Sequence, residues 1–479
     1  YFTNQESDGN IKFSTGGNNN VLVLNENGSI STTTAGTSNV RLGLNAGIDL
    51  TNQSFYNVLI GDLAGANISS GDENVAIGFE ALSTEDTGGR NIAIGYEALF
   101  TQNVDAYAYN VAVGYSAGSA ITTGIYNTLL GGLTGDALTD ADFNVALGSN
   151  ALGSDTLGSR SVAIGYSALT SQNLTTATDA YNTAVGMLAG ENVTSGIFNT
   201  LIGGEAGDRL TGNGFDGNGA RVAGADNNVA LGYAALTSDR KGNKTTAIGR
   251  GALQTQDFAS ATDTHNVAVG FNAGVSVTEG VENTFVGGLA GDALTTGSNN
   301  TIIGKGCDIN AVGQDHGIAL GHNVGVSAND FSFGKSGNKV TNDFDTDANW
   351  SRSSDERLKK NITDQTLGLD FINDLRTVKY NWKASNELDS SDSQLAHLYK
   401  ENPADNEMNT DATMHNFIAQ EVKAALDTAG VSNFAGWKED EKGVQQVSRE
   451  MFVIPLVKAI QELSAKNDAL AARIATLEG

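Results

Sequence analysis

Asn74-Val75-Ala76-Ile77-Gly78, Asn91-Ile92-Ala93-Ile94-Gly95 and Asn283-Thr284-Phe285-Val286-Gly287 are copies of one unit. The unit is Asn, a small or β-branched residue, two apolar residues, Gly, two variable residues, Ala, then Leu or Gly. Its glycine recurs 17 times from Gly43 to Gly334, mostly at a spacing of 17 residues. Each unit holds a four-residue run of β-type residues, too short for a helix and bounded by turn residues. One such coil cannot bury its apolar face, but stacked coils share a continuous core. The reading is therefore mainly β: a parallel β-solenoid, or β-roll, over residues 39–334. Gly supplies corner conformations closed to other residues, and Asn at equivalent positions can stack into ladders. At roughly 4.8 Å per coil the rod is about 80 Å long.

A longer period lies above the first. The residues after the key glycine read Ala-Leu, Ala-Leu, Ala-Gly, then a unit ending near Gly-Asp. This four-unit block starts at Gly78 and recurs at Gly148 and Gly232. In each block the second-to-third spacing is stretched, from 95 to 114, 165 to 186 and 249 to 270. The extra residues are polar loops: Gln102 to Tyr109, Gln172 to Tyr181 and Gln256 to His265. A longer insertion lies between Gly203 and Gly232. Within it Asp216, Asn218 and Asp226 are weak candidates for Ca²⁺ ligation through oxygen, and a plain loop is the competing reading. No other cofactor is expected. The acids Asp136, Asp208 and Asp292 occupy equivalent repeat positions, which favours a turn role over paired catalytic carboxylates.

The units resemble the Asn-x-Val-Ala-Ile-Gly repeats in the β-roll heads of trimeric autotransporter adhesins, over about 39–334. Before the array, residues 1–38 read as a strand-rich lead-in, with Lys12-Phe13 and Val21 to Leu24 as strands. After it, 335–353 lose the repeat and read as a neck.

The 479 residues carry a formal net charge of -27, divided as -20 over 1–334 and -7 over 335–479. A surface this acidic argues against nucleic acid and anionic lipid as partners. Gly is abundant at 59 residues but Pro is only 2, which excludes collagen. Cys307 is the only cysteine, so no intrachain disulfide is possible. No run of 18 apolar residues is present, so no membrane insertion is expected. The chain begins at Tyr1, and an upstream attachment region is expected.

The chemistry lies in Ser354-Asp355-Glu356-Arg357-Leu358-Lys359-Lys360. A Ser becomes a nucleophile when a base takes its proton, and Lys can be that base if burial or a nearby cation such as Arg357 or Lys360 lowers its pKa. Attack by Ser354 on the Ser353 carbonyl would close a five-membered ring and cut before Ser354. A cut after it requires water or a neighbouring subunit's Ser. Asn361-Ile362, Val378-Lys379-Tyr380-Asn381-Trp382, Phe417-Ile418-Ala419-Gln420-Glu421-Val422 and the tail from Ile454 to Leu463 complete the pattern. Together these motifs, over 354–479, resemble the endosialidase-type intramolecular chaperones of phage tail spikes and fibres. Asn416 departs from the Gly usual there. The resemblance implies an α+β domain that assembles a homotrimer and frees the fibre by cutting at Ser354–Asp355, with Ser354 and Lys359 as catalytic residues.

His415, beside the longest motif, reads as a packing or hydrogen-bonding residue. Residues 383–414 read as a solvated insertion. Val453, Ile460, Asn467 and Ile474 fall at heptad position a, and Leu456, Leu463, Leu470 and Leu477 at d, which predicts a coiled coil over 453–477. The expected function is a trimeric fibre of a virion tail or extracellular filament. It would contact upstream virion or filament components and a host-surface glycan or protein. A glycan-depolymerising tail spike and a secreted bacterial adhesin are the competing readings. Only single-turnover self-cleavage is expected as enzyme activity.

Overall fold

The computed structural model describes residues 36–478 except 37, 213, 215–223, 344–346, 353, 404–409 and 412, together with four short strands before residue 36. The candidates Asp216 and Asn218 lie outside the described residues. The chain divides into two compact units, Tyr1–Ser353 and Ser354–Gly479.

The first unit is a parallel β-solenoid of about 17 turns, as the repeat predicts. Seventeen strands from Val40–Leu42 to Asp330–Lys335 pair in sequence order, each residue with its counterpart one coil on. The four strands Phe2–Asn4, Ile11–Ser14, Asn20–Leu24 and Ile30–Ser31 form an antiparallel sheet before it. At the other end Asn338–Asp343 and Asp347–Arg352 continue the sheet antiparallel, so the open edge of the last coil is paired.

Every key glycine has φ between +121° and +148°, from Gly304 to Gly114. No side chain would fit there either: a Cβ on Gly270 would meet the Gly287 carbonyl oxygen at 2.5 Å. The strand's middle residue points inward, and Ala76, Ala93, Leu129, Ala146 and Phe285 are fully buried. The alternation of Leu and Gly four residues past the key glycine is volume matching. Leu82, Leu99, Leu152 and Leu169 fill their coils where the inner strand residue is Ala. Where Gly takes that place, the neighbouring space is filled by others. A Cβ on Gly65 would meet Leu59 Cδ2 at 2.7 Å and Ile68 Cδ1 at 2.8 Å. The backbone is left-handed at this position whichever residue is present, with φ 55° at Gly65 and 53° at Leu82. Leu therefore accepts strain of order 1 kcal/mol in exchange for full burial.

The asparagines form a buried ladder. Asn127 N–H donates to Asn110 Oδ1 at 2.8 Å, and Asn144 N–H donates to Asn127 Oδ1 at 3.0 Å. Most of the side-chain amides also close their coil, as when Asn127 Nδ2 donates to the Ala141 carbonyl at 2.7 Å. The ladder meets the requirement that buried backbone groups be paired.

The second unit packs three helices around one core: α1 (Leu369–Asn373), α2 (Ala419–Thr428) and α3 (Val453–Glu478). Leu367, Phe371, Val422, Leu426 and Phe452 are its buried centre. Phe417 lies against Phe452 at 5.0 Å, which explains the apolar positions of the Phe417–Val422 motif. The predicted strand forms as Val378–Tyr380, antiparallel to Met414–Asn416. Asn416 is in extended pairing there, so the position needs no glycine. Most of the described residues in 383–403 are exposed, as in a solvated insertion. Ser385 is buried, and Leu388, Leu395 and Leu398 face Tyr380 and Trp382 across a cavity of about 670 Å³. Glu462 Oε2 accepts the Leu369 N–H at 2.8 Å and ties α3 to the start of α1. Among the described residues no helix is long and apolar enough to cross a membrane.

Candidate functional site

Residues 354–359 turn on themselves. Asp355 caps the short 3-10 turn Glu356–Leu358, accepting the Arg357 N–H at 2.9 Å, and the Lys359 N–H closes the turn on the Glu356 carbonyl at 2.9 Å. The reversal brings Lys359 Nζ to Ser354 Oγ at 2.8 Å. The Ser and Lys singled out in the sequence are thus hydrogen-bonded, five residues apart.

Asp355 is held first by Arg357 and only weakly by the Lys359 charge. Its carboxylate is gripped by Arg357, with Nη2 to Oδ2 at 2.6 Å and Nε to Oδ1 at 3.0 Å. The side-chain bond to Arg357, then the Arg357 backbone N–H, hold the Asp355 carboxyl below its usual range. Arg357, a cation expected to act on Lys359, is therefore engaged with Asp355. Ser354, Lys359 and the residues around them are exposed in the single chain. A lysine serves as base when it is desolvated or beside an uncompensated cation, so the dyad has its contact here without its cover.

The other candidates lie elsewhere. His415 is exposed on its strand, and its carbonyl accepts from Arg449 Nη1 at 3.4 Å. Asp226 is buried. Its carboxylate accepts the Ile197 N–H at 2.9 Å and the Gly224 N–H at 3.3 Å, a coil-closing arrangement. Among the described residues no three His, Cys, Asp or Glu cluster as a metal site. Of the repeated acids, Asp208 is raised to about 6, by burial first and then by Glu205 and Glu191. Asp308, beside Asp292, is also raised to about 6, chiefly by burial. Burial raises Asp136 too.

Sequence reasoning missed three buried carboxylates. Glu85, Asp155 and Asp239 are fully buried, each one coil before the Gln that opens a stretched loop. Gln172 Nε2 donates to Asp155 Oδ2 at 2.5 Å and to Ser161 Oγ at 3.0 Å, while its Oε1 accepts from Asn182 Nδ2 at 2.8 Å. Gln256 links Asp239, Thr245 and Asn266 in the same way, and Gln102 joins Glu85 to Asn110. Backbone amides complete the shell: Asp155 Oδ1 accepts from Leu174 N–H at 2.9 Å and Gly158 N–H at 3.1 Å. Burial pushes all three carboxyls up, against these hydrogen bonds. In two blocks the Gln also repairs the ladder where Ser161 or Thr245 replaces Asn. The common 17-residue offset from acid to Gln was the available signal.

A glycine-cornered parallel solenoid, followed by a small α+β unit that opens on a Ser–Lys contact, defines the class: a repeat shaft joined to a small C-terminal domain. Residues 354–431 match the family model described as chaperone of endosialidase. The match begins at Ser354, the first residue of the second unit, and bears out the resemblance read from the motifs. Comparison with curated proteins and with solved structures returned no match.

Proposed function

We propose that this chain is a subunit of a trimeric tail fibre or tail spike. The solenoid is its shaft. The C-terminal unit is a template that brings three chains into register and then cuts itself off beside Ser354. The observation that carries the reading is the 2.8 Å bond from Lys359 Nζ to Ser354 Oγ, at the residue where the chaperone match begins.

Assembly and cutting are linked through burial. Neighbouring copies would cover the exposed dyad and exclude bulk water from it, the setting a lysine base requires. A water, or the Ser of a neighbouring copy, then attacks the Ser354 carbonyl, and Lys359 carries the proton to the leaving amine of Asp355. Overall, one water is consumed and one peptide bond is broken. The heptad face of α3 supports the assembly step, because Val453, Leu456, Ile460, Leu463, Leu470, Ile474 and Leu477 are all exposed. Long-range parallel pairing is slow, so a removable template helps it form and then leaves it kinetically trapped. The shaft would work outside the cell on a virion tail, with its loops meeting a host-surface glycan or protein.

The test compares the full chain with Ser354→Ala and Lys359→Ala on denaturing gels, by intact mass and by sedimentation. Wild type is expected to give two fragments whose masses sum to the chain plus one water. Both variants should stay whole yet oligomeric. Uncut wild type after folding sinks self-cleavage, and a monomer sinks the fibre reading.

A further inference from the structure

We infer that the outward face of the parallel sheet is the surface on which solenoids of this chain pack against one another. The inference rests on the assembly proposed above and names where in the shaft it happens.

In each coil the middle strand residue points inward, so the first and third point outward. The third-position column runs Leu42, Ile60, Ile77, Ile94 and onward to Leu320 and Phe333, and every member is apolar. The first-position column contains only Val, Ile, Thr and Phe. Neither column carries a charge in any of the seventeen strands, on a chain of net charge -27. Leu42 is 50% exposed, Leu147 and Leu320 are 45% exposed, and Leu231 is 41% exposed.

The flanks of this face carry runs of aromatic rings among charged and small residues. Tyr109, Tyr126 and Phe143 stack at 5.3 and 5.0 Å on one side, and Phe79, Tyr96 and Tyr115 at 5.4 and 5.2 Å on the other. The rings lie face to face along the rod, so their faces are already used and their edges point outward. That arrangement disfavours stacking on sugar rings. Several cations on these flanks are held: Arg90 pairs with Glu73, Arg160 with Asp179, and Arg250 lies over the Tyr233 and Phe271 rings.

The footprint of this face is that of an interface. About 80 Å of rod, times a strand width of roughly 10 Å, is on the order of 800 Å². A monomer rarely exposes an apolar patch beyond about 300–600 Å², whereas about 800 Å² per partner is a standard specific interface. Two features identify the occupant as a second copy. Side chains repeating every 4.8 Å or so along the whole rod interdigitate best with a ladder of the same repeat and length, which another copy has. This is also a face on which two strongly acidic rods can meet without carboxylates facing each other.

The test uses the full chain with Leu147→Cys or, three coils on, Ile202→Cys. Asp140→Cys, on an exposed turn outside the sheet, is the control; native Cys307 is buried. Short bismaleimide cross-linking is expected to give covalent dimers from both sheet variants, with the control labelled by a bulky maleimide but not cross-linked. Sedimentation is run on the same samples. An oligomer whose sheet-face thiol labels freely and does not cross-link overturns this inference and leaves the C-terminal assembly standing. A monomer overturns both. A thiol that is protected but never cross-linked overturns pairing between copies.

Discussion

Removing one rung of the asparagine ladder tests the solenoid's internal logic. Asn127→Ala deletes an Oδ1 that accepts the Asn144 N–H at 3.0 Å and an Nδ2 that donates to the Ala141 carbonyl at 2.7 Å. Asn144 and Ala141 are fully buried, so water does not replace either partner. Each orphaned group costs about 1–3 kcal/mol, which centres the loss near 4 kcal/mol. The loss stays near the deleted rung, because solenoid coils couple mainly to their neighbours. At 1.4 kcal/mol per decade, local opening around residues 141–147 becomes about a thousandfold more frequent. Hydrogen exchange read by mass spectrometry on peptides spanning 141–147 and, as a distant reference, 283–300 measures this. Exchange at 141–147 within threefold of wild type would refute the claim that the ladder holds the coils together. Equal acceleration at the distant peptide would refute the claim of local coupling.

Gly270→Ala places a Cβ against the Gly287 carbonyl at 2.5 Å with φ at +143°, and a loss above about 3 kcal/mol is expected; Gly337→Ala, in open space, should lose about 1 kcal/mol. Thermal melts of the two variants compare them, and similar melts would dismiss the close-approach argument. Asp155→Asn turns an amide donor toward Gln172 Nε2, so it should destabilise its block, and adding Gln172→Glu should restore it by exchanging the roles; a double variant no better than the single one counts against the network. Asp208 and Asp308 have folded pKa values of about 6, above the ordinary 3.8, so their contribution is fullest below 3.8 and is lost as pH rises through about 6. Denaturation midpoints should therefore be higher at about pH 5 than at about pH 7.5, and Asp208→Asn should flatten the difference; parallel profiles for variant and wild type would contradict the assignment. Lys359→Arg keeps the charge but removes a usable base, so the chain should assemble and stay uncut by intact mass. Cutting by that variant would exclude Lys359 as the base.

Much of this architecture was legible because it repeats. The 17-residue recurrence of Asn and Gly specified the solenoid class, its repeat and its glycine corner, but not the shape of the coil. The backbone conformation at Gly43 through Gly334 admits no other residue, and the Asn amide satisfies the same two backbone groups in coil after coil. The Ser354–Lys359 pair was visible only through the wider pattern of motifs around it, among them Phe417–Val422, because a Ser and a Lys five residues apart carry no signal by themselves. Three neighbouring apolar residues such as Val75-Ala76-Ile77 do not say which one faces the core. The tertiary turn decided that Ala76 goes in and that Val75 and Ile77 look out, and so it created the charge-free outer face. Glu85, Asp155 and Asp239 were not singled out in the sequence, and only the stacking of a stretched coil beside each one buried it against a glutamine. A repeat carries its local geometry in its own letters, whereas burial depends on what the neighbouring coil brings alongside, and that is settled only when the chain has closed on itself.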